Sequence, residues 1–90
     1  MVRRDLTDEQ IKADILNRLV NAGAFGSPHI PVDRMRGWIQ NKIKKDGKKV
    51  TKCIEDLART GLLSITARNT IYANHRRLDE IFDYIDRHIK

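Results

Sequence analysis

The chain is 90 residues long, 40% hydrophobic and 33% charged, with a formal net charge of +6, which allows one small core and hardly a second domain. No run approaches the ~18 uninterrupted apolar residues of a membrane span, and no apolar stretch follows Arg3 and Arg4 as a secretory signal requires. The single cysteine forms no internal disulfide, so the expectation is a cytoplasmic protein.

The first element is signalled at its start. Thr7 and Gln10 have capping-box spacing, and Leu6 and Ile11 are placed for the hydrophobic staple that fixes chain entry. Ile11, Ile15, Leu16, Leu19 and Val20 then recur at helical spacing until Gly23. The stretch Ala24–Pro31 reads as a connector. Pro28 and Pro31 have no N–H to donate, so at most a short edge strand fits around His29–Ile30.

Val32, Met35, Ile39 and Ile43 mark the apolar face of a second helix, with Gly37 as a weak point and Trp38 flanking the stripe. A third helix follows, with Asp46 as its expected N-cap. Val50, Cys53, Ile54 and Leu57 form its stripe, and Gly61 stands where a left-handed cap is wanted. Cys53 falls on the buried side and reads as a small core residue.

After Gly61 the period changes to two. Leu63, Ile65 and Ala67 alternate with Ser64 and Thr66, and a second extended run follows at Thr70–Asn74. Arg68, Asn69 and Thr70 form a polar tip in which Asn69 suits a left-handed conformation. Leu78, Ile81, Phe82, Ile85 and Ile89 then make a last amphipathic helix, its acidic start and basic end matching the helix dipole. The fold class expected is mainly α with a small β-hairpin, an α+β arrangement.

The charge is concentrated. Residues 42–52 hold six lysines against Asp46 alone, which accounts for +5 of the total +6. A basic block of this kind suggests an anionic partner, nucleic acid being the commonest, although a lysine-rich solvated turn has the same composition.

The order of elements and the segment KKVTKCIEDLARTGLLSI resemble the winged helix-turn-helix domain of small archaeal and bacterial transcription regulators. The positions that carry the likeness are Val50, Ile54, Leu57, Gly61, Leu62 and Leu63. The resemblance implies a DNA-binding domain over residues 1–77, with the helix starting near Asp46 entering the major groove and residues 63–77 as the wing. Lys44, Lys45, Lys48, Lys49, Thr51 and Lys52 would then meet the nucleic acid, with lysines on phosphates or guanine edges and Thr51 on a base edge or a thymine methyl. On the wing, Arg68, Arg76 and Arg77 would reach flanking phosphates or the minor groove. Residues 78–90 would complete the domain or join two copies as a homodimer through Leu78, Ile81, Phe82, Ile85 and Ile89.

Two departures qualify the pattern. The spacing from Met35 to Val50 is about four residues longer than the usual turn, and Glu55 and Asp56 confine any DNA contact to the front of the helix.

The implied partner is double-stranded DNA. The alternatives are a winged-helix protein-interaction module of a larger assembly, or RNA binding. No enzyme chemistry is expected. His29, His75 and His88 are scattered, no Cys/His pair has metal-ligand spacing, and no phosphate-binding glycine loop or nucleophile elbow is present. Asp79, Asp83 and Asp86 share one side of the last helix and read as a solvated face. No cofactor is implied.

Overall fold

The computed structural model describes residues 7–25, 29–40 and 47–88, with the side chains of Gln40 and Lys48 left out. Among the described residues the elements run α1 (Asp8–Asn21), β1 (Ile30–Pro31), α2 (Val32–Gln40), α3 (Gly47–Thr60), β2 (Leu63–Ile65), β3 (Thr70–Ala73) and α4 (Leu78–His88). The class is α+β: mainly helical, with a three-stranded antiparallel sheet in the order β1-β3-β2. No helix among these residues is long and apolar enough to cross a membrane.

Local chemistry sets the helix ends. The Thr7 hydroxyl accepts from the Gln10 N–H at 3.2 Å and the Gln10 side chain accepts from the Thr7 N–H at 3.0 Å, so the capping box is complete. Its staple residue Leu6 lies outside the described residues, as do the expected N-cap Asp46 and the stripe residue Ile43. Gly23 and Gly61 both adopt positive φ, +69° and +85°. Each is followed by the paired bonds of a Schellman cap: Ala24 N–H to Leu19 O and Gly23 N–H to Val20 O, then Leu62 N–H to Leu57 O and Gly61 N–H to Ala58 O.

The hairpin expected from the period-two run is only part of the sheet. Ile30 and Pro31 pair with Ile71 and Thr70, making β3 the central strand. Pro31 fits because it lies on an outer strand, where a missing N–H costs no ladder bond. Ala73 adds a bond from its N–H to the carbonyl of Ala24, tying the end of α1 to the same strand.

One expectation on this sheet is corrected. Leu63 is buried, but Ile65, expected on the same inward face, is 39% exposed. Ile65 sits on outer strand β2 opposite Ile71. Ile71 is covered from both sides by neighbouring strands, whereas Ile65 has a neighbour on one side only.

The core is continuous. Ile11, Ile15, Leu16 and Leu19 of α1, Met35 and Ile39 of α2, Val50, Ile54 and Leu57 of α3, and Leu63 and Ile71 of the sheet are all buried. Helix α4 folds back onto α1. Ile81 is fully buried there, while Leu78 and Ile85 pack at the margin of the core. That corrects the expectation for Ile81 as a dimer contact, because its side chain is already covered by its own chain. Phe82, one residue on, is 50% exposed. Ile89 lies outside the described residues.

Candidate nucleic-acid interface

Helix α3 buries Val50, Cys53, Ile54 and Leu57 against the rest of the fold, which turns the opposite side of the helix outward. Lys52, Glu55 and Arg59 are exposed on that side. At 100° per residue they form one stripe, with Thr51 off to one flank. Arg59 was not among the expected contacts, yet its side chain is 78% exposed and held 3.6 Å from Asp56. The sequence signal was available: Arg59 follows Lys52 by seven residues, two helical turns on the same face.

The first turn of α3 has no acidic residue, and it opens with Lys48 and Lys49. Lysines beside a helix start add to the positive end of the helix dipole, an arrangement unfavourable to the fold. The fold compensates from α1. The Lys49 ammonium lies 2.9 Å from an Asp8 carboxylate oxygen, and Lys12 lies 3.6 Å from Asp56. The hydrogen bond from Lys49 holds the Asp8 carboxyl below the usual carboxylate range, with the charges of Lys49, Lys12 and Lys52 adding to the effect. Lys49 is therefore partly engaged inside the molecule. Lys44 and Lys45 lie outside the described residues.

The hairpin tip is a braced turn. Thr66 and Thr70 hydroxyls meet at 2.6 Å, and Thr66 Oγ1 also accepts from the backbone N–H groups of Arg68 and Thr70. Asn69 takes the left-handed conformation expected of it, with φ 62°. Arg68 is thereby presented, exposed, at the end of a stiff loop.

Arg76 is exposed in the short 3₁₀ turn His75–Arg77. Arg77 makes contacts within the chain. Its guanidinium donates to the carbonyl of Thr60 at the end of α3 and pairs with Glu80 of α4. It joins the end of α3, the base of the hairpin and the start of α4 as a structural clasp, with its side chain still 38% exposed.

Other chemistry is sparse among the described residues. No group of three or more His, Cys, Asp or Glu side chains there could hold a metal ion. Cys53 is buried, and burial pushes its thiol up to about 11. A shallow groove of about 240 Å³ between α1, α3 and α4 has Leu57 and Leu62 among its lining residues, but the ion pairs Lys12–Asp56, Arg77–Glu80 and Arg87–Asp83 all lie along it.

No family model matches the chain, and neither does any curated protein or solved structure.

Proposed function

We propose that the protein binds double-stranded DNA as a winged-helix reader, with the front of α3 as the main contact and Arg68 as an outlying one. The observation that carries this reading is the build of α3. One side is wholly apolar and buried, and the other carries Lys52, Glu55 and Arg59 outward, with the lysine toward the front. The helix begins within the stretch that holds +5 of the molecule's +6 net charge. A lysine-bearing helix front and an exposed arginine at a hairpin tip are the kinds of group that meet phosphates flanking a major groove. The order helix, strand, helix, helix, paired strands, helix, with β3 between β1 and β2, supports the winged-helix arrangement.

Within this reading Lys48 and Lys52 neutralise phosphates, and Thr51 meets a base edge. Glu55, on the same stripe behind Lys52, keeps the rear of the helix out of the groove. The test is a fluorescence-anisotropy titration of a duplex at several salt concentrations. With four to six phosphates neutralised, log K should fall with log salt at a slope of roughly −4 to −5. A flat response, or no binding at about 50 mM salt where such contacts are strong, would reject DNA as the partner.

A further inference from the structure

Two exposed aromatic residues have no part in that interface, and they lie on helices that flank α1. Trp38 on α2 is 38% exposed, with the guanidinium of Arg18 from α1 placed 5.6 Å from its ring centroid. Arg34, one turn earlier on α2, is also exposed. On α4, Phe82 is 50% exposed. Its neighbours three and four residues away on the same face are Asp79 and Asp86, with Asp83 beside it. Arg18 also pairs with Asp14, and Asp83 with Arg87, so the ring on α2 is flanked by more arginine than aspartate and the ring on α4 by more aspartate than arginine.

The charge pattern decides between two ways of covering Phe82. A two-fold contact of α4 with its twin brings like patches together, setting the aspartates of one copy against those of the other. A contact between α4 of one copy and α2 of the next sets aspartates against arginines and Phe82 against Trp38. Opposite charge around a desolvated aromatic pair is the composition of an energetic centre in protein interfaces.

We infer that the protein self-associates head to tail, the Phe82 face of α4 seating on the Trp38 face of α2 in a second copy. The contact is heterologous, so a pair still offers one unused α2 face and one unused α4 face, and the assembly grows by further addition.

Sedimentation velocity from about 10 µM to about 1 mM, the range over which micromolar to millimolar contacts fill, tests this without nucleic acid. The parent should show a weight-average mass that climbs steadily with concentration and falls back in high salt. Phe82→Asp and Trp38→Ala should each remove the climb, and Arg34→Asp should shift it at least tenfold in concentration. All three side chains are exposed, so circular dichroism should show the parent's helix content in each variant.

Mixing gives the deciding result. Phe82→Asp retains a good Trp38 face, and Trp38→Ala retains a good Phe82 face. An equimolar mixture should therefore form a one-to-one pair and nothing larger. A parent that stays monomeric at 1 mM overturns the inference. So does a Trp38→Ala variant that associates like the parent, as a two-fold α4 contact requires, or a mixture of folded variants that does not pair.

Discussion

Cys53 shows how a single buried atom reports on the whole core. Its side chain is enclosed between α3 and the first turn of α1, with Sγ 3.9 Å from the carbonyl of Asp8. Burial is the largest cause of its raised ionisation, with the nearby Asp8 charge adding to it. The native thiol should resist alkylation at pH 8 and react at the rate of a free cysteine once the chain is unfolded in urea. The unfolded thiol loses its proton near its ordinary value and the folded one near 11. Between those values the folded state holds more protons, so stability should fall as pH rises through that window. Cys53→Ala should flatten that fall in urea midpoints measured across the window; an unchanged slope would show that another group governs it.

The two cap glycines provide a matched comparison at the same scale. Both have positive φ, but a Cβ at Gly23 would meet nothing within 4 Å, whereas one at Gly61 would lie 2.6 Å from the Arg77 guanidinium. Gly23→Ala should cost about 1 kcal/mol, the price of a left-handed alanine. Gly61→Ala should cost about 2–3 kcal/mol, since Arg77 must also release the Thr60 carbonyl. Equal costs in urea denaturation would mean that the clasp contributes nothing.

Among the elements, α4 is divided by one residue step. Ile81→Ala empties a fully buried site and should destabilise by about 2–5 kcal/mol, while Phe82→Ala on the exposed side should change stability by no more than about 0.5 kcal/mol. A large cost at Phe82 would place that ring in the core after all.

Helix α3 carries the corresponding test for binding. Lys52→Ala should weaken every duplex and lower the salt slope by about 1. Asp8→Asn should act in the opposite direction, strengthening duplex binding about two- to threefold, since it removes one negative charge beside the helix. Thr51→Ala should alter sequence preference and leave the slope unchanged. If Lys52→Ala and Asp8→Asn leave affinity where it was in a folded protein, α3 is not the contact.

At the scale of the whole molecule, what could be read from the sequence was whatever neighbouring residues decide between themselves. The Thr7–Gln10 box, the stops at Gly23 and Gly61 and the left-handed Asn69 all depend on residues within a few positions of one another, and each is found in place. The core stripes of α1, α2 and α3 follow from periodicity for the same reason. Features that depend on distant partners were not legible. Nothing near Pro31 announces Thr70 as its partner, nothing near Lys49 announces Asp8, and the 17-residue separation of Thr60 and Arg77 hides the clasp. Period alone placed Ile81 and Phe82 on one stripe, and only the angle at which α4 meets α1 separates them.

The clasp fixes one end of α3. Arg77 holds the rear of α3 to the hairpin base and to α4, while the cationic front stands at the opposite end of a 14-residue helix. At 1.5 Å per residue that is an arm of about 20 Å, so a tilt of about 5° at the rear carries the front through nearly 2 Å. That displacement exceeds the tolerance of a hydrogen bond. The Lys49–Asp8 pair and buried Val50 hold the front against such a tilt, so the helix is pinned at both ends.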